Sequence, residues 1–198
     1  MAESETALAN RALTLIGSAT ISSLTDNDRV GRLVNTMFAQ VRDDVLSEAN
    51  WNCAIKRATI AADTDTPDWG FSNQFTLPAD FIRLVKVEDV DSQFSLEGGK
   101  ILSDSSTQKI KYVFRLTDVS RMDDAFKKAF AYKLAYELCL AMKGSTESKQ
   151  SNYQLYLDAL SQARMSDATQ APIETLSGSD WVDARMGIDT PFRRIALE

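Results

Sequence analysis

Residues 28–57, DRVGRLVNTMFAQVRDDVLSEANWNCAIKR, constrain the fold more than any other stretch. Val30, Leu33, Val34, Met37, Phe38, Val41 and Val45 recur at steps of three and four, which lines them along one face of a helix. That face is stable only when other elements cover it. The opposite face carries Arg29, Arg32, Asn35, Gln40, Asp43 and Asp44, a polar surface for water or for a neighbouring subunit. The helical pattern breaks at Trp51-Asn52. With 198 residues and 44% hydrophobic content, the chain can bury a real core around this strut.

Upstream, Ser4 caps a short helix over 5–16 whose apolar face is Leu8, Ala12, Leu15 and Ile16, and Gly17 can take the left-handed conformation that ends it. Residues 18–27 read as an extended connector anchored by Ile21 and Leu24, and Thr25 or Asn27 caps the strut. From Trp51 the pattern alternates like a strand, residues 63–69 (DTDTPDW) form a loop, and FIRLVKVE over 81–88 is a strong strand. Gly98-Gly99 joins 94–97 to 100–102 as a hairpin, because glycines accept the positive dihedrals of a two-residue turn. In KIKYVFRL over 109–116, Ile110, Tyr112, Phe114 and Leu116 face inward while Lys109, Lys111, Val113 and Arg115 face water.

Ser120 with Asp123 caps a third helix to Lys143, with Phe126, Phe130, Leu134, Leu138 and Ala141 inward, and Gly144 ends it. A fourth helix spans 146–167 with Tyr153, Tyr156, Leu157, Leu160 and Ala163 inward. The expected fold is α+β: a four-helix core (residues 1–50 and 118–168), a small antiparallel β-sheet inserted between helices 2 and 3 (51–117), and an extended C-terminal arm (169–198). The arm lacks periodicity yet carries Trp181, Val182, Met186, Ile188, Phe192 and Ile195, more apolar bulk than a solvating tail needs.

Lys+Arg of 22 against Asp+Glu of 28 gives a net charge of -6, which disfavours sequence-independent attraction to a phosphate backbone. The chain has no histidine, so Ser-His-Asp and Cys-His catalysis and histidine-rich zinc sites drop out, and no cofactor or metal is expected. Cys53 and Cys139 read as separate reduced thiols. Met1 to Gly17 is neither a signal peptide nor a membrane span, and no membrane anchor is expected. Asp43, Asp44 and Glu48 form a carboxylate cluster, as do Asp123 and Asp124; on helices such groups are usually solvated faces or dipole partners. A catalytic use would need one carboxyl held protonated opposite another across a sugar. Lys109, Lys111 and Arg115 fall on the strand face opposite Tyr112 and Phe114, so parity separates the cations from the aromatics that a stacking platform would combine.

The order of segments carries a resemblance. ALANRALTLIGSATISSLTDNDR, then VGRLVNTMFAQVRDDVLSEANWNCAIKRATIA, then FTLPADFIRLVKV, then FKKAFAYKLAYELCLAMKGS and a tail with DWVDARM together resemble the head-to-tail adaptor proteins, of the tail tubular protein A type, of short-tailed bacteriophages and prophages. Its most telling pieces are Arg42-Asp43-Asp44-Val45-Leu46 ahead of Trp51-Asn52, Ala54-Ile55-Lys56-Arg57, and Leu77-Pro78-Ala79-Asp80; Cys53 departs from the aromatic or aliphatic residue expected there. The resemblance implies a structural, non-enzymatic virion protein of the tail neck, assembled in the bacterial cytoplasm. It implies a dodecameric ring between portal protein and tail nozzle protein, through which DNA passes without sequence-specific binding. It places Trp181, Arg185, Met186, Phe192, Arg193 and Arg194 on the portal-binding arm. Arg32, Arg42, Asp43, Asp44, Trp51, Asn52 and Arg57 are then candidates for ring interface or core strut. The alternative is a tail-associated peptidoglycan or polysaccharide hydrolase using the helix carboxylates; a nucleic-acid-binding module is a third reading.

Overall fold

A computed structural model describes residues 3–88, 93–143 and 146–170. It shows the expected mixed α+β fold, with four helices and two small antiparallel sheets. Helix α1 (Glu5–Leu15) begins at Ser4, whose Oγ accepts the Ala7 N–H at 3.1 Å, and ends where Gly17 takes φ 63°. The connector is held by one amide: Asn10 donates Nδ2–H to the Ile21 carbonyl and accepts the Ile21 N–H, both at 2.8 Å. Ile21 is thereby set into the core, with Leu24 packed against it.

Helix α2 (Arg29–Glu48) is capped by Asp28, not by Thr25 or Asn27. Asp28 Oδ1 accepts the Gly31 N–H at 2.7 Å, the three-residue offset that satisfies an otherwise orphaned donor. Asp26 meanwhile accepts the N–H groups of Ser22 and Ser23, folding the connector back onto the first turn. The approach is so close that a Cβ on Gly31 would lie 2.5 Å from the Asp26 carbonyl oxygen. Val34, Phe38, Val41 and Val45 are buried as the periodicity requires, and Val30, Leu33 and Met37 flank them at half depth.

Helix α3 (Asp124–Lys143) is the central element. Phe126, Ala129, Phe130, Ala131, Leu134, Ala135, Leu138 and Cys139 are all essentially inaccessible, and both α1 and α2 pack on it. A helix apolar around most of its circumference belongs inside, which is why α3 rather than the more amphipathic α2 forms the middle. Asp123 caps it, accepting the Phe126 N–H at 2.6 Å; Ser120 lies instead in a 3-10 turn (Val119–Arg121) held by Asp118. The expected stop at Gly144 falls outside the described residues. Helix α4 (Thr146–Gln170) buries Asn152, Tyr156, Ala159, Leu160 and Ala163, whereas Tyr153 and Leu157, expected inside, are exposed. The buried stripe is rotated because Tyr156 reaches a polar partner on α2 and fixes the angle of the helix.

The β region departs from the single sheet expected. Strand β1 (Ile55–Ala61) starts only after a 3-10 turn (Asn52–Ala54), so the alternation from Trp51 is not strand. Strands β2 (Asn73–Thr76), β3 (Phe81–Val87), β4 (Phe94–Glu97), β5 (Lys100–Ser103) and β6 (Thr107–Phe114) follow. They form two three-stranded sheets, ordered β1-β6-β3 and β2-β5-β4, with every pairing antiparallel. The Gly98-Gly99 turn joins β4 to β5 as expected, with φ of 56° and 77°. Val113 is fully buried although alternation puts it on the wet face, because α2 covers this end of β3 and β6. The β strands do not form a separate lobe. Phe75, Ile101, Ile110, Tyr112 and Val113 belong to one hydrophobic cluster with the helices, and Met1–Ala168 is one compact unit.

Candidate functional site

Of the acidic residues singled out in the sequence, Asp43, Glu48 and Asp80 sit in separate polar knots that tie elements together, while Asp44 and Asp124 are exposed and Asp123 caps α3. Asp43 is the first. Its Oδ1 accepts Nε–H and Nη2–H from Arg42 at 2.9 and 2.8 Å, and its Oδ2 accepts Nε–H from Arg115 at 2.9 Å, joining α2 to the end of β6. Arg42 is only 8% exposed, so this guanidinium is a structural cation and not a contact offered to a neighbour. Planar fork-to-carboxylate pairing is the geometry in which burying an arginine is tolerated.

Glu48 makes the second knot, with Oε2 accepting the Tyr156 hydroxyl at 2.6 Å and Oε1 3.7 Å from Lys133 Nζ. Arg164 donates to the Glu48 carbonyl at 2.7 Å, so the end of α2 holds both α3 and α4. Burial first, and the Glu48 carboxylate second, push the Tyr156 hydroxyl well above the ordinary phenol range. Asp44 is exposed and points into neither knot. The helix carboxylates thus do not converge on one cleft.

Asp80, from the Leu77-Pro78-Ala79-Asp80 turn, makes the third knot by accepting from Lys56 Nζ on β1 and from the Tyr112 hydroxyl on β6 at 3.0 Å. The Lys56 hydrogen bond, reinforced by Tyr112, holds the Asp80 carboxyl below its usual range. Burial, then the neighbouring carboxylate, raises Tyr112 to about 12. Phe81 stacks on Tyr112 with ring centroids 5.7 Å apart, and Lys56 lies 4.2 Å from the Phe114 ring centroid. These contacts turn a loop motif into a clamp across β1, β3 and β6.

Trp51 is a core plug. It is fully buried, donates Nε1–H to the Val45 carbonyl at 2.8 Å and meets Phe126 edge-on at 5.0 Å, so it has no surface to offer another subunit. Asn52 beside it is exposed. Arg32 is exposed and binds Asn27 through its carbonyl and side-chain oxygens at 2.7 and 2.9 Å. Arg57 lies on β1, apart from the helical candidates. The arm residues Trp181, Arg185, Met186, Phe192, Arg193 and Arg194 lie outside the described residues.

Three exposed features escaped the periodicity. Leu140 on α3 and Tyr153, Leu155, Leu157 and Met165 on α4 leave apolar side chains in water. Trp69, 86% exposed, stands at an open groove of about 440 Å³ between its loop and the β4–β5 hairpin, with Phe71, Gln74, Glu97 and Lys100 on the walls. Its Pro-Asp-Trp-Gly setting has no periodicity from which exposure could be read. The third is a row of cations that strand pairing assembles on the β1-β6-β3 sheet. Among the described residues, no group of three or more His, Cys, Asp or Glu side chains is placed to hold a metal, and no helix is long and apolar enough to cross a membrane. No protein-family model matches the chain, and neither does any curated protein.

Proposed function

We propose that this chain is a structural head-to-tail adaptor of a tailed bacteriophage, a ring subunit between portal and tail nozzle that continues the DNA channel. The resemblance of segment order supports the reading, and the observation that carries it is the set of large apolar side chains left exposed on α4 (Tyr153, Leu155, Leu157, Met165) and at Leu140 of α3. Apolar side chains left out of a well-filled core are what a ring subunit needs for the neighbours on its two sides. The acidic residues of α2 serve the fold, with Asp43 on Arg42 and Arg115 and Glu48 on Tyr156 and Lys133, which suits a rigid strut.

In this reading the arm, residues 169–198, attaches the subunit to the portal, using Trp181, Arg185, Phe192, Arg193 and Arg194. A chain cut after Ala168 keeps its compact unit, so its circular dichroism spectrum and melting remain close to those of the full chain while portal capture is lost. Undiminished capture by the shortened chain overturns the role given to the arm.

A further inference from the structure

Strand pairing builds a feature that the linear sequence hides. Arg57 on β1 and Lys86 on β3 both pair with Lys111 on β6, so three cations stand in one row across all three strands of the sheet. Directly opposed residues on neighbouring strands have Cβ atoms about 5 Å apart, and like charges there repel. Arg57 directly opposite Lys111 therefore weakens the pairing of β1 with β6. Lys109, two pairs further along β6, and Arg115, just beyond its end, extend the same face. These two are neutralised, Lys109 by Glu88 and Arg115 by Asp43, each at 2.9 Å, whereas Arg57 and Lys111 make no ion pair among the described residues. On a chain of net charge -6 this is a local reversal of sign.

We infer that the Arg57–Lys111–Lys86 row is a phosphate-contacting surface for the backbone of double-stranded DNA. The face around the row offers Thr59 and Thr107 rather than aromatic side chains, and Tyr112 and Phe114 are buried on the opposite side. A protein partner takes its affinity from buried aromatic and aliphatic anchors; the aliphatic pair beside the row, Ile55 and Val113, is half-buried and buried respectively, and no aromatic side chain stands on this face. A polyanion needs only charges at phosphate spacing, and without stacking or base-edge groups the contact is independent of sequence. Such a surface holds DNA loosely and lets it slide. The inference deepens the adaptor reading by naming the face that meets the channel's contents.

The test is fluorescence anisotropy of the full-length chain with a short mixed-sequence DNA duplex, beginning at low salt. Affinity falls with salt at a log–log slope of about -0.9 per phosphate neutralised, so contacts from the two cations without an ion pair, Arg57 and Lys111, give a slope of about -2. The double variant Arg57→Gln, Lys111→Gln loses tenfold or more in affinity, and it melts no lower than the wild type because the repulsion between the two is relieved. Arg57→Gln alone, at an exposed position, makes the slope shallower by about one. Absence of duplex binding by the wild type, or an unchanged slope in the variants, overturns the inference. Tighter binding of poly-glutamate than of duplex at equal charge overturns it in favour of an acidic protein. The assay contains no portal: portal capture without duplex binding defeats this inference alone, and duplex binding without portal capture defeats the adaptor reading alone.

Discussion

Tyr112 shows how much one side chain can hold. Its ring lies in the core, stacked on Phe81, while its hydroxyl donates to Asp80, which also receives Lys56. Because the folded state raises its proton affinity to about 12 from an ordinary value of 10.0, the contribution is fully present below pH 10 and is lost as pH rises toward 12. Tyr112→Phe should therefore flatten the alkaline limb of the stability curve, measured by urea unfolding across that interval, and cost about 1 kcal/mol at neutral pH through the lost hydrogen bond. An alkaline limb as steep as the wild type's would contradict the assignment. Asp80 acts on the other side of the pH scale: its lowered carboxyl contributes above its ordinary value of 3.8, and that contribution fades as pH falls through the folded value. The sequence showed Leu77-Pro78-Ala79-Asp80 as a turn, but it could not show that Lys56 and Tyr112 would meet there, since those contacts follow from strand pairing. In the sequence Trp51 marks the break in the helical pattern, and its burial as a plug follows from its contacts with Val45 and Phe126; its replacement by alanine should cost about 3–5 kcal/mol in chemical denaturation.

At the scale of elements, helices were easier to read than sheets, for a physical reason. A helix is closed by local hydrogen bonds, so the three- and four-residue spacing of Val34, Phe38, Val41 and Val45 was enough to place the face of α2. Caps were less secure, because Thr25, Asn27 and Asp28 are all competent and only the folding back of Asp26 onto Ser22 and Ser23 selects Asp28. That fold-back depends on Gly31. In Gly31→Ala the new methyl would crowd the Asp26 carbonyl oxygen and Asp28 Oδ1, so thermal melting should report a loss of about 1–3 kcal/mol, although alanine is otherwise the better helix former. A stabilised Gly31→Ala variant would show that the connector is not locked onto α2. The sheets depend on distant partners: β1 pairs with β6, and β2 with β5, so nothing in the local alternation announced two sheets instead of one. The same non-local pairing conceals the Arg57–Lys111–Lys86 row.

For the whole molecule, the features form a consistent division of labour. The carboxylates of α2 and the Asp80 clamp hold helices and sheets as one unit from Met1 to Ala168. What the unit leaves in water is a set of apolar side chains on α4, the Trp69 groove and the cation row, different surfaces on one chain. A closed ring needs two unlike patches for its neighbours, and an adaptor needs more for the proteins above and below it. The central claim is that this chain builds a ring on a portal. Electron microscopy of the full-length protein mixed with its portal tests it most directly. A ring of added density coaxial with the portal, extending its channel and lost when residues 169–198 are removed, is the expected result; portals that remain bare at concentrations well above any self-association of the chain would contradict the adaptor role.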